Sequence, residues 1–217
     1  MKKIFNEIIK SNQLIFILLF TLGLFVYLNV LNGVFLHDDG ALIIDNQHIS
    51  SFKYFFEYFA SSPTSGAGMP SDLYRPLHTV INALLFQVFG LNQIPYHLVN
   101  IFFHIAASFC VFLLFEKLSF SRVLSFCGAL LFLLHPVQTE SVSYIAGLPE
   151  PMGGFFMLMG LVVFTSAFSA KPWRKRWGKL GLSLGIFVVA LLSKESMIVF
   201  APLALLITVF LWDGFSK

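Results

Sequence analysis

Charge is what this chain has least of. Of its 217 residues only 12% are Asp, Glu, Lys or Arg, whereas 57% are hydrophobic, 27 are Phe, and the mean hydropathy is +0.82. A soluble domain carries about 25% charged residues. So little charge cannot cover a globule in water, which excludes a soluble enzyme, a nucleic-acid binder and a disordered tail, and leaves no nucleic-acid partner to look for. Cysteine is scarce too: Cys110 and Cys127 both lie in apolar runs and read as small buried residues, not as a disulfide framework or a metal site. No internal repeat or low-complexity segment is present.

The apolar residues are gathered into runs, which makes this an all-α, multi-pass integral membrane protein. From Ser11 to Leu36 there is no Asp, Glu, Lys or Arg, enough at 1.5 Å rise per residue to cross a ~30 Å hydrocarbon core. The basic lead Met1-Lys2-Lys3 resembles the start of a signal peptide, but the run is too long for one and no A-x-A-like site follows. Further apolar stretches lie at about 77–91, 96–116, 121–136, 151–170, 178–193 and 197–212.

Lys and Arg placement decides the topology. If 77–91 does not cross, Lys2, Lys3, Lys10, Lys117, Arg122, the loop from Lys171 to Lys179, and Lys217 share the cytoplasmic side. That layer holds 11 of the 14 basic residues and leaves Lys53, Arg75 and Lys194 outside. If 77–91 crosses, the basic 171–179 loop is exported, against the positive-inside bias. The expectation is therefore a polytopic helix bundle of about six spans (12–35, 96–116, 121–136, 151–170, 178–193 and 197–212) with a cytoplasmic N-terminus. An external loop, 37–95, carries an in-plane juxtamembrane helix at 77–91, which is short for a span and clusters His78, Thr79 and Asn82. The same assignment puts 8 of 11 carboxylates outside and all six histidines in or near that layer. Ser61 to Gly68 is a flexible loop by composition.

The groups able to do chemistry follow. His37-Asp38-Asp39 places two adjacent carboxylates where the first span emerges; partial desolvation and a like-charged neighbour would raise one pKa toward a general base, and a hydrated helix-end cluster is the alternative. Tyr74-Arg75-Pro76-Leu77 opens the in-plane helix, with Pro76 suited to its first turn. Arg75 is either a bidentate phosphate ligand or an interfacial anchor. His97, Asn100, His104 and Ser108 fall at about 0°, 300°, 340° and 20° around a helix. They form one polar stripe facing the bundle interior or a wet cavity, with interhelical hydrogen bonding as the plainer role. His135-Pro136-Val137-Gln138-Thr139-Glu140 closes the third span outside, and Gly147-Leu148-Pro149-Glu150 precedes the fourth. Lys194 in Ser193-Lys194-Glu195 either neutralises phosphate or pairs with Glu195. The residues point to no metal site and no certain cofactor, and leave a divalent metal open.

Taken in order, the Asp-Asp pair, Tyr-Arg-Pro-Leu, Tyr96-His97-Leu98-Val99-Asn100 with His104, His-Pro-Val-x-Thr-Glu, the Gly-x-x-Glu turn and Lys194-Glu195 resemble one family. It is the transmembrane O-mannosyltransferases with C-terminal tetratricopeptide repeats and their bacterial relatives, within the GT-C glycosyltransferase superfamily. The resemblance runs from about Phe35 to Glu195. It implies a GT-C-like fold and transfer of mannose or a similar hexose from a polyprenyl-phosphate donor to a hydroxyl acceptor, a protein Ser or Thr or a glycan, at the extracytoplasmic face. By similarity Asp38 is the base and Asp39 orients the site, or the roles are exchanged. Arg75, Lys194 and the His97/Asn100/His104 stripe would stabilise the departing phosphate and the sugar, with His135, Glu140 and Glu195 as wall or acceptor-site residues.

The chain has Gly147-Leu148-Pro149-Glu150 where the family usually shows Gly-Arg-Ala-Asp. The family continues through further spans and repeats, so these 217 residues read as an N-terminal portion, completed by a partner carrying the later spans or repeats. A non-catalytic scaffold or pseudoenzyme and a small transporter using the polar stripe are the competing functions. The expected compartment is a bacterial plasma membrane, or the endoplasmic reticulum of a eukaryote.

Overall fold

A computed structural model describes residues 11–69 and 71–215, with side chains described as far as Leu211. The basic lead (Lys2, Lys3, Lys10), Glu7, Lys217 and the side chain of Asp213, all used in the topology count, lie outside the described residues. Among the described residues the regular structure is entirely helical. The helices are α1 (Asn12–Tyr27), α2 (Glu57–Ala60), α3 (Pro76–Phe89), α4 (Gln93–Lys117), α5 (Arg122–Leu134), α6 (Thr139–Ser143), α7 (Pro149–Phe168), α8 (Trp173–Ser193) and α9 (Phe200–Phe215).

Their starts follow local chemistry. Ser11, Asn92 and Ser121 each accept a hydrogen bond from a first-turn N–H, of Leu14, Ile94 and Leu124, while Pro76 and Pro149 occupy first-turn positions where no N–H is needed. Four helical segments are long and apolar enough to cross a membrane: Asn12–Asn32, Gln93–Lys117, Ile145–Phe168 and Trp173–Ser193. A fifth is a broken pair, Arg122–Leu134 and Pro136–Ser143, bent by 45°. The break has a local cause: Pro136 disfavours helical backbone at His135, which turns extended with ψ 127° and ends α5. The expected last span is a shorter apolar segment, Glu195–Leu211, entered through a tight turn at Glu195–Val199.

The basic 171–179 segment, expected as a loop, is a loop only to Pro172. Proline suits a helix entry, and Arg174, Lys175, Arg176 and Lys179 lie in the first two turns of α8, with Lys179 Nζ donating to the Ser166 carbonyl at 3.0 Å.

α4 is the central helix: α1 and α5 pack on one side of it and α7 on the other, with α8 against α7. One apolar cluster joins Leu19 of α1, Ile105 and Phe112 of α4 and Leu133 of α5, and another joins Leu161 of α7 to Phe200 and Ile207 of α9. Gly23 permits the close approach of α1, because a Cβ there would lie 2.5 Å from Ile105 Cγ1. At one end of the bundle Arg122 binds Glu116 at 2.5 Å and Asn12 at 2.6 Å, tying α1, α4 and α5 together. At the other end Gly33 backs onto the His97 ring near the start of α4. The chain between α1 and α4, with α3 in it, therefore leaves and returns on one side.

That segment is built around Leu42, Ile43, Ile49, Tyr58, Ala83 and Tyr96. Ser61–Gly68, expected to be flexible, is fastened to it. Asn46 Nδ2 donates to the Pro63 carbonyl at 2.8 Å, Ser61 and Ser65 hydroxyls lie 2.8 Å apart, and a Cβ on Gly66 would fall 2.0 Å from Asn46 Oδ1.

Candidate active site

The acidic pair sits on a strained turn. After α1 the chain unwinds through Leu28–Asn32 and reaches His37 at φ 42°, a backbone state costing a side-chain-bearing residue about 1–3 kcal/mol. Besides the turn's own backbone bonds, three hydrogen bonds to side chains hold it. Asp39 Oδ2 accepts from the Leu36 N–H at 2.8 Å, Tyr144 Oη accepts from the Asp38 N–H at 2.9 Å, and the same Oη donates to the Leu36 carbonyl at 3.2 Å.

The two carboxylates thereby part company. Asp39 is fully buried, and burial raises its pKa above the ordinary carboxylate range, partly offset by the Leu36 and Ala146 backbone N–H groups. Asp38 is exposed. The desolvated carboxylate is thus Asp39, and the solvent-accessible one is Asp38.

Beside this turn lies a cavity of about 270 Å³ whose wall includes Arg75, Glu140, Tyr144, Gly147, Glu150 and Lys194. Arg75 arrives from the residue before α3, Lys194 from the residue after α8, and Glu150 from the first turn of α7. Each cation has a carboxylate partner. Arg75 Nη2 and Nε donate to Glu195 Oε1 and Oε2 at 2.7 and 3.2 Å, and Lys194 pairs with Glu150. Lys194 therefore takes Glu150, not its neighbour Glu195, as its ion-pair partner, and Glu195 acts on it through its charge alone. The Arg75 hydrogen bonds hold the Glu195 carboxyl down to about 2, while burial and the nearby Arg75 charge lower the Lys194 pKa. Two cations thus converge on one small polar cavity, each held there by a carboxylate.

The polar stripe of α4 does different work along its length. Asn100 Nδ2 donates to the Tyr144 carbonyl at 2.7 Å, fixing the cavity wall from behind, and His97 is buried against the backbone of Gly33 and Ser143. His104 Nε2 donates to the Leu133 carbonyl at 3.1 Å and Ser108 to that of Ala129 at 2.8 Å, both on α5. These two bind helix to helix. His135 lies outside the cavity, exposed at an apolar groove of about 580 Å³ between α4 and α5, with its Nδ1 accepting from the Val137 N–H at 3.2 Å. Among the described residues no three His, Cys, Asp or Glu side chains come together as metal ligands.

The structure thus gathers Arg75, Glu140, Lys194 and, through Arg75, Glu195 at one place, with Asp38 and Asp39 joined to its wall through Tyr144 and Ala146. It adds Tyr144 and Glu150. Tyr144 carried a weak signal in the sequence: a lone tyrosine midway between the His-Pro motif and the Gly147 turn, with nothing to show that its hydroxyl reaches back 106 residues.

Comparison with known proteins points the same way as the motifs. The family model for dolichyl-phosphate-mannose-protein mannosyltransferase matches residues 66–217. Curated relatives include protein O-mannosyl-transferase TMTC2 of Homo sapiens, 33% identical over 167 residues, covering 70% of this chain and 19% of the relative. TMTC3 of Homo sapiens is 30% identical over 195 residues, covering 88% and 21%, and Tmtc1 of Drosophila melanogaster is 28% identical over 181 residues, covering 82% and 20%. The chain thus spans about a fifth of the length of these relatives. No solved structure matches it.

Proposed function

The chain belongs to the dolichyl-phosphate-mannose-protein mannosyltransferase family, and from that premise we propose that it transfers mannose or a similar hexose from a polyprenyl-phosphate sugar to a hydroxyl, foremost a protein Ser or Thr, on the extracytoplasmic face of its membrane. The observation that carries the proposal is the convergence of Arg75 and Lys194 on one cavity beside an exposed Asp38.

The chemistry requires little else. Asp38 takes the proton of the acceptor hydroxyl as its oxygen bonds to the anomeric carbon. The bond from that carbon to the lipid phosphate breaks, and the phosphate leaves already anionic, needing cations more than an acid. Arg75 and Lys194 receive its charge in exchange for Glu195 and Glu150. A single displacement of this kind inverts the anomeric centre. The lipid tail extends from the cavity into the bilayer, and the family's later spans and repeats, on this chain or a partner, complete the cleft. The membrane is a bacterial plasma membrane or the endoplasmic reticulum.

A second reading, a non-catalytic scaffold, draws on the two ion pairs, which satisfy both cations without a ligand. The transporter reading loses its motive, since His104 and Ser108 are spent on carbonyls of α5. The deciding experiment supplies membranes containing the chain with polyprenyl-phosphate mannose and a Ser/Thr-rich peptide. Transfer that falls on the order of 10²–10⁴-fold in Asp38→Asn at equal membrane abundance supports the enzyme. Neither transfer nor donor binding by the wild-type protein supports the scaffold.

A further inference from the structure

We infer that Tyr144 is a positioning residue for the proposed transfer: its hydroxyl locks the strained Asp38-Asp39 turn onto the wall of the Arg75/Lys194 cavity. The inference rests on the functional reading above only in giving the turn a reaction to serve. The lock itself is geometric. One phenolic oxygen both accepts from the Asp38 N–H at 2.9 Å and donates to the Leu36 carbonyl at 3.2 Å, so it bridges the two sides of the residue with positive φ, His37. The ring belongs to the cavity wall. Its backbone is fixed in turn, because the Tyr144 carbonyl accepts from buried Asn100 at 2.7 Å and the next residue, Ile145, is packed in the core of the segment between α1 and α4.

The consequence for chemistry is a fixed distance. Asp38 is exposed, so its placement relative to the cations depends on its backbone, and the Tyr144 hydroxyl is the tertiary contact on that backbone N–H. A backbone-held base keeps its geometry while its carboxylate stays free for the acceptor.

Tyr144→Phe removes the hydroxyl alone. Tyr96→Phe is the control, since it deletes a buried phenol whose single bond, to the Gly90 carbonyl at 3.0 Å, lies away from the cavity. In the 217-residue chain, hydrogen exchange of the 36–44 backbone should accelerate several-fold in Tyr144→Phe and stay at the wild-type rate in Tyr96→Phe. In the transfer assay Tyr144→Phe should lower kcat about tenfold, equivalent to about 1.4 kcal/mol of barrier, with donor KM unchanged, because the cations are untouched. Unchanged exchange at 36–44 overturns the lock, whatever the activity. Accelerated exchange with wild-type kcat overturns its role in positioning. If the wild-type chain transfers nothing, the functional reading fails and the exchange result still decides the lock.

Discussion

Replacing Asp39 by Asn and by Ala should move stability to different extents. Asp39 is 0% exposed, its Oδ2 bonds the Leu36 N–H at 2.8 Å, and burial has raised its pKa. Ala removes that acceptor and releases the strained His37 turn. A hydrogen bond to a charged group contributes about 1.5–3 kcal/mol, so a loss of about 2 kcal/mol is expected. For a chain of this size that lowers Tm by roughly 4–8 °C. Asn, like Ala, removes the cost of burying a charge and in addition keeps one acceptor oxygen for the Leu36 N–H, but it sets an amide NH2 against the Ala146 N–H, so Asp39→Asn should melt above Asp39→Ala and close to wild type at pH 7.

The pH dependence separates the terms. An Asp whose native pKa lies above its unfolded value lowers stability wherever it is ionised. Wild type should therefore gain stability as pH falls from neutral through the raised native value, levelling off near the ordinary ~3.9, and Asp39→Asn should lack that gain. The assay is thermal unfolding in detergent followed by far-ultraviolet circular dichroism, which reads helix loss at every pH in the series. An Asn variant that melts as low as Ala, or one with the wild-type pH slope, would refute the argument.

Four further outcomes are expected. Glu195→Gln should cost about 1 kcal/mol, because Glu195 is 59% exposed and screened by solvent while Arg75, 17% exposed, loses its charged partner. With Glu195 held down to about 2, the Arg75 pair should persist from above pH ~4.5 and be lost only as pH falls toward that value, read from the Glu195 carboxylate by infrared titration. Gly66→Ala should loosen the 61–69 segment, because its Cβ would meet Asn46 Oδ1 at 2.0 Å and the His48 backbone nitrogen at 2.7 Å; faster proteolysis there is the measure, and wild-type resistance would contradict the packing. A reporter joined after Lys175 should be cytoplasmic and one after Glu140 exported, and the reverse would require α3 to cross.

Composition and periodicity were enough for the membrane, the helices and most of their ends, because those depend on runs of apolar residues and on caps within a few residues of one another. The short α3 and the polar face of α4 were legible for the same reason. The end of α5 was legible in His135-Pro136, where the third span was expected to close, because the effect of a proline on the preceding residue is local; the 45° bend to the helical pair Pro136–Ser143 was not. The basic stretch near Trp173 illustrates the converse: charge suggested a loop, and helix propensity with Pro172 at the entry made it a helix.

Residue order was sufficient to establish an all-α membrane protein and to raise the expectation that its acids and histidines gather toward one layer. Which member of each polar group faces a cavity was settled by the packing of the helices. Adjacent residues diverge: Asp39 is buried and Asp38 exposed, while Glu195 turns to Arg75 and Lys194 to Glu150. Partners separated by 44 to 120 residues meet only because α3, α7 and α8 bring their ends to one place. Pairing in space is a property of the packed helices, to which spacing along the chain gives no access.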